Sequence, residues 1–289
     1  MFEVNSEGVR KIIVERISSK LNSVGLMFRI FSRTKSGPSI NKKLLSDDAY
    51  GKTKKLQDLI GIRVVLYFND DIDTVRKVIS SEYSERSSDV SIDEVKNDEF
   101  KALRYNIVYS LDHECKEVFR LGDGENRIDS TFELQIRTIF SEGWHEIEHD
   151  LRYKCKSDWE GFDEQSRRLN GVYASLETNE WTMIKVFEEL AYNHYKNGDW
   201  SAMFRQKFRL RFVDTGIDKK IMDIFSDAGV VKKFFRLDRD VLIMDMIERE
   251  FYYPLHLDNI IYFCNITRVK DENIMDITPR LMIEEMKIK

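Results

Sequence analysis

Three groups of residues in this chain have types and spacings that chemistry could use. The first is FELQIRTIF, residues 132–140. Phe132, Leu134 and Ile136 alternate there with Glu133, Gln135 and Arg137, the period-two pattern of a half-buried strand. A carboxylate, an amide and a guanidinium therefore line up on its open face. The second is LQDLIGIRVVLYF, where Asp58 stands at the mouth of an apolar run and Arg63 lies inside it. Isolated charges are seldom buried without a partner or a ligand. For Arg63 taken alone, a salt bridge to a core carboxylate is the better explanation than a ligand. Gly61 beside it permits close approach of a ligand or a neighbouring strand.

The third group is SRTKSGPSINKK, residues 32–43. Arg33, Lys35, Lys42 and Lys43 are interleaved there with Ser32, Ser36 and Ser39 around Gly37-Pro38. A polyphosphate needs several cations around one volume, with hydroxyl and backbone donors between them. Taken alone, the stretch reads more readily as a solvated loop, as charge runs usually are. It is not a P-loop, because the GxxxxGK[ST] pattern is absent. Taken together, the groups imply more. Asp58 and Glu133 on neighbouring strands, facing the basic stretch, fit a magnesium site for a nucleoside triphosphate. Magnesium takes one or two carboxylates and completes its shell with phosphates and water. The plainer alternative for Glu133 is a cross-strand ion pair with an arginine.

The elements that must position these groups follow from periodicity. Residues 7–31 carry helical spacing in Val9, Ile12, Ile13, Ile17, Leu21 and Val24. LIGIRVVLYF, 59–68, is rich in β-branched residues and reads as a central strand. DDIDTVRKVISSEY opens on acidic residues and continues as a helix. RYNIVYSL, EVFRL and TFELQIRT read as three further strands, with GDGEN as the turn between the last two. FSEGWHEIEHDLRYK and the stretch 162–196 read as helices. The expected architecture is α+β: a mixed, nucleotidyltransferase-like sheet flanked by helices over residues 1–196. A smaller module of short elements occupies 197–289.

Composition sets the outer limits. The chain has 289 residues, 42% hydrophobic and 34% charged, enough for one large domain with a companion. Its net charge is −5 and its pI about 5.7, so no global basic field draws nucleic acid. Cys115, Cys155 and Cys264 lack CxxC spacing, which argues against a disulfide framework or a zinc site. No segment looks like a signal peptide or a membrane span, and the expectation is a cytoplasmic protein.

The succession RTKSGPSINKKL, DLIGIRVVLYFNDDI and FELQIRT…WHEIEHDLRYK closely resembles the synthetase domain of the RelA/SpoT family, the alarmone-making nucleotide pyrophosphokinases. It covers about residues 25–156, and the helix with RRLNGVYASLETNEW resembles the next helix of the small alarmone synthetases. The resemblance implies that Arg33, Lys35, Ser39 and Lys43 hold the ATP phosphates and that Arg63 stacks on adenine. It implies that Asp58 and Glu133 hold Mg2+, with Glu133 helping to activate the acceptor hydroxyl, and that Gln135 and Arg137 orient the site. The chain begins close to the matched segment, so the expectation is a synthetase without the degrading half.

One family element is altered. Most members carry Gly-Tyr-x-Ser-x-His, whose tyrosine stacks on the acceptor guanine. Here the corresponding stretch is EFKALRYNIVY, 99–109, with Glu99 for the glycine, Phe100 for the tyrosine and Arg104 for the histidine. Phenylalanine keeps a stacking face without the hydroxyl, and arginine brings a permanent cation suited to phosphate. GDP or GTP is the acceptor the resemblance implies. The alternatives are a toxin or antiphage effector acting on the 3′ end of tRNA, and a non-catalytic nucleotide sensor.

Other features read more plainly. His145 and His149 lie four apart on one helix but lack an HExxH pattern, and Trp144 reads as a packing anchor. FRQKFRLR, 204–211, alternates apolar and cationic residues. It reads as an edge strand rather than an RNA grip. The C-terminal module could serve homo-oligomerisation, autoinhibition or sensing.

Overall fold

The structure is a computed structural model that describes residues 4–86, 91–92, 105–120, 126–213 and 216–287. The chain packs as two compact units: residues 1–18 with 28–180, and residues 19–27 with 181–289. The break falls inside a long helix, whereas the sequence suggested a boundary at that helix's end.

The first unit is built on a mixed sheet of order β1-β2-β5-β4-β3. Its strands are β1 (Phe28–Thr34), β2 (Ile60–Leu66), the two-residue β3 (Ser91–Ile92), β4 (Tyr105–Ser110) and β5 (Thr131–Thr138). β2 and β5 run parallel at the centre, and the other pairs are antiparallel. Tyr105, Ile107 and Tyr109 of β4 share a face with Phe132, Leu134 and Ile136 of β5. There Tyr109 stacks on Phe132 at 5.4 Å, and Tyr83 meets the Phe132 ring edge-on at 5.1 Å. Such aromatic pairs add to the burial that drives the sheet together. In β2 only Gly61 and Arg63 escape full burial, and in β5 only Glu133 and Gln135 do. The opposite face is therefore closed except at these positions.

Helix α1 (Ser6–Ser23) buries Val9, Ile13, Ile17 and Leu21 at every fourth residue. It stops well short of the expected residue 31. Gly25 adopts φ +71°, a left-handed conformation that ends helices and costs glycine least. Beyond it, alternation in FRIFSRT and pairing with β2 make a strand of what had read as helix. The basic stretch is likewise no plain loop. It comprises the end of β1 and helix α2 (Gly37–Leu45), with a proline in its first turn, where a missing N–H is harmless. Helix α3 (Ile72–Ser80) follows β2 as expected. EVFRL, expected as a strand, lies largely in helix α4 (His113–Phe119). Asp112 caps it by accepting from the Cys115 amide at 2.7 Å, and Cys115 and Phe119 are buried four apart. Two apolar neighbours could not separate the two periods. GDGEN lies outside the described residues except for Asn126.

Helix α5 (Ile139–Glu148) springs directly from β5 through a capping box between Thr138 and Ser141. It runs on as a π-helical turn, His149–Tyr153. Helix α6 (Asp163–Asn197) spans the break between the units.

Among the described residues, the regular elements of the second unit are all helices. Residues 204–211 are not a strand: helix α7 (Trp200–Phe208) takes in most of them. Phe204 and Phe208 are fully buried, and Phe204 packs against Phe225 and Phe234. The rings that suggested a nucleic-acid grip are core residues four apart on a helix. No helix among the described residues is long and apolar enough to cross a membrane.

Candidate functional site

Strand register brings the sequence's scattered charges together. Arg33 of β1, Gly61 of β2 and Glu133 of β5 form one row across the sheet, and Phe31, Arg63 and Gln135 form the next. All six face the same side, and with Asp58, Ser32, Ile62 and Glu146 they line a single cleft. Arg33 reaches over Gly61, whose missing Cβ would sit 3.7 Å from the Arg33 Cγ. That is ordinary contact, so the glycine keeps the floor low without being obligatory.

Asp58, just before β2, accepts from Lys35 Nζ and Lys43 Nζ, each at 2.7 Å and both at Oδ2. Lys35 is held at the end of β1 by its own amide, which donates to the Leu59 carbonyl at 2.9 Å. Lys43 comes from the last turn of α2. Burial pushes the Asp58 carboxyl up, but the two ammonium groups prevail and hold it below the usual carboxylate range. Burial pulls Lys43 down, and Asp58 more than restores it. The second carboxylate oxygen, Asp58 Oδ1, is buried without a hydrogen-bond partner among the described residues. A buried charged oxygen without a donor is costly, and a cation would satisfy it. Ser39 sits exposed in the first turn of α2, its hydroxyl 2.9 Å from that of Ser36. Arg33 has no ion-pair partner among the described residues.

Across the cleft, Arg63 is fully engaged. Its Nε donates to Gln135 Oε1 at 2.9 Å, and its Nη1 donates to Glu142 and, at 2.7 Å, to Glu146. Burial works against the charge, but Glu146 and Glu142 outweigh it and raise its pKa further. Gln135 in turn lies 3.4 Å from Glu133 Oε1. The alternation that placed Arg137 on this face is correct, yet α5 covers that end of the sheet. Arg137 is 8% exposed, pairs with Glu142 at 3.4 Å and does not line the cleft. Glu142 thus ties Arg137 and Arg63 together. Neither Glu142 nor Glu146 was singled out from the sequence. Their four-residue spacing on an acidic helix leaving a strand was the available signal.

Phe100 and Arg104 lie outside the described residues. His149 pairs with Asp150 at 2.9 Å, and His145 is buried. No group of three or more His, Cys, Asp or Glu among the described residues is disposed to hold a metal. Trp144 packs on Tyr173 at 4.8 Å and donates its indole N–H to the Leu169 carbonyl at 3.2 Å. Asp58 and Glu133 remain as the pair that could hold a cation. Two carboxylates suffice when phosphates complete the shell, so the donor set fits Mg2+.

The corner joining β5 to α5 holds a second buried carboxylate. Glu180, 6% exposed, accepts from the Thr138 hydroxyl. Burial pushes its pKa up to about 7, against the Thr138 hydrogen bond and with a further push from Glu177. A carboxyl raised in the folded state binds more protons than it does unfolded. Its contribution to stability is therefore present at low pH and lost as pH rises to about 7. Glu180→Gln should leave the melting temperature near pH 4 unchanged and raise it by a few degrees at pH 8. Thermal melts at the two pH values check this.

The fold and cleft define a mixed α+β domain with one charged cleft on a sheet face. Residues 32–158 match the family described as "Region found in RelA / SpoT proteins". Among solved structures, the chain is similar to small alarmone synthetase 1 from Bacillus subtilis bound to its product pppGpp. The identity is 21% and the TM-score 0.46, over 63% of this chain and 90% of that one. Small alarmone synthetase 2 from Bacillus subtilis is 21% identical with a TM-score of 0.43, over 64% of this chain and 98% of that one. A GTP pyrophosphokinase family protein from Streptococcus pneumoniae is 22% identical with a TM-score of 0.41, over 62% and 87%. No curated protein matches.

Proposed function

We propose that this chain is a magnesium-dependent pyrophosphokinase, moving the β,γ-pyrophosphoryl group of ATP to the ribose 3′-hydroxyl of GDP or GTP. One observation carries the reading: within the segment that matches the RelA/SpoT family, Asp58, which accepts from Lys35 and Lys43, lines the same cleft as the Glu133–Gln135–Arg63 chain. The charges orient the donor. Arg33, Lys35 and Lys43 outnumber Asp58 and Glu133 at one end, whereas Arg63 and Arg137 are balanced by Glu142 and Glu146 at the other. The polyphosphate belongs at the cationic end, with Ser39 an additional donor, and the base belongs beside Arg63. Gln135, Glu142 and Glu146 take the edge donors of Arg63 and leave its flat face for stacking.

Asp58 and Glu133 would hold Mg2+, which when bound neutralises charge on the transferring phosphates. The acceptor 3′-oxygen attacks Pβ, the Pα–O–Pβ bridge breaks, and its electrons leave on AMP. Glu133 takes the hydroxyl proton. Arg137 acts through Glu142 as a positioning residue. Phe100 and Arg104 stay assigned to the acceptor, and residues 197–289 to an accessory module. Catalysis of this kind is positioning and charge neutralisation.

Incubation with γ-labelled ATP, Mg2+ and a panel of GDP, GTP, adenine nucleotides and tRNA tests the reading. Labelled guanine nucleotide and AMP should form in equal amounts. ADP or free pyrophosphate as the sole product would overturn it, and label appearing in tRNA alone would move the acceptor to nucleic acid.

A further inference from the structure

Phe31 is an anomaly on the cleft face. β1 points Phe28 and Ile30 toward the half-buried side and Arg29, Phe31 and Arg33 outward. Among these outward positions Phe31 alone is apolar, and 54% of it is exposed. A lone exposed ring is unremarkable on most surfaces, but this one lines the charged cleft. It is the direct cross-strand partner of Arg63, and directly opposed side chains begin about 5 Å apart at Cβ. The Arg63 guanidinium is fixed by Gln135, Glu142 and Glu146 through its edge, and it lines the cleft together with the exposed Phe31 ring. Arg33, the cation at the phosphate end, is two residues along the same strand, roughly 7 Å away. Among the described residues Phe31 has no aromatic neighbour to account for its position.

We propose that Phe31 is a base-stacking residue of this cleft, taking the nucleobase of the bound nucleotide against its ring beside Arg63. The inference rests on the donor-nucleotide reading above and adds to it a binding residue on β1. Stacking accepts any base, because every base has a π-face. Phe31 therefore governs affinity for the nucleoside part and leaves the phosphate contacts untouched.

Calorimetric titration with Mg2+ and two probes separates these effects: AMPCPP, which has a base, and inorganic tripolyphosphate, which has none. Phe31→Ala should weaken AMPCPP binding about tenfold, within the range for one base–aromatic stack, and leave tripolyphosphate binding unchanged. Phe31→Leu keeps apolar bulk without a π-face and should weaken AMPCPP similarly, while Phe31→Trp should bind at least as well as the wild type. Unchanged AMPCPP affinity in both Phe31→Ala and Phe31→Leu overturns the assignment alone. So does equal weakening of both probes. Wild-type protein that binds neither probe overturns the donor reading, and this inference with it.

Discussion

Asp58→Asn and Glu133→Gln should each reduce AMP formation by about a thousandfold, the scale expected when a few kcal/mol of charge stabilisation leave a transition state. Both changes keep the shape of the side chain and remove only its charge. Asp58 is the more exacting case, because its two oxygens have different duties. Oδ2 already receives Lys35 and Lys43, and Oδ1 is the buried oxygen left without a donor. An asparagine oxygen can still accept from a lysine but cannot supply an anionic oxygen to a cation. It also leaves the Lys35 and Lys43 charges facing each other without a counterion. Glu133 meets Gln135 only at a long 3.4 Å, so little in the fold depends on its charge. Melting temperatures should therefore stay within a few degrees of the parent while kcat/KM collapses. Raised Mg2+ should recover part of the activity of Glu133→Gln. If either variant retained a tenth of the parent activity with ATP, the two-carboxylate site would be wrong.

The parts of this site that could be read from the sequence are those where a charge interrupts an otherwise apolar strand. Asp58, Arg63 and Glu133 announced themselves in that way, because β2 and β5 are buried along almost their whole length. The parts that could not be read depend on partners distant in sequence. Phe31 was hidden inside a helical stretch read through to residue 31, since pairing with β2, not local propensity, makes Phe28–Thr34 a strand. Glu142 and Glu146 were visible only as acidic residues on a helix. Their approach to Arg63 depends on how α5 turns at its Thr138 cap, which no periodicity encodes. Arg137 shows the converse failure. Its face was right, but the helix laid over that end removes it from the cleft. Short apolar pairs misled twice, at 117–121 and at 204–211, where two or three residues fit both periods and burial at i and i+4 decides for helix. The unit break inside α6 has no sequence signal, because no glycine or proline stands at Glu180 and Trp181, where it falls, and Gly171 lies nine residues before it.

Lys35→Ala and Lys43→Ala should each raise the KM for ATP by about tenfold, roughly one charge-assisted hydrogen bond to phosphate, and the double variant should approach a hundredfold or fall short of it. The shortfall has a physical source. Both ammonium groups converge on one oxygen of Asp58, so removing one lets the other draw closer to the carboxylate and away from the ligand, and neighbours sharing a partner do not add. The double variant should also respond differently to acid. In the parent the two lysines hold Asp58 below its ordinary range against the pull of burial. A depressed carboxyl stabilises the fold above its unfolded pKa, and that contribution disappears as pH falls through the folded value. Without the lysines only burial remains, which pushes the carboxyl up. Protonation then favours the folded state, and the pH dependence around Asp58 reverses sign. Melting temperature should fall from pH 5 toward pH 3 less steeply in the double variant than in the parent, while at pH 7 the variant is the less stable of the two. Adding Asp58→Asn to the double variant should restore stability at pH 7 and leave ATP binding weak. Identical pH profiles in parent and double variant, or ATP affinity indifferent to both lysines, would show that the cluster neither charges the cleft nor holds phosphate.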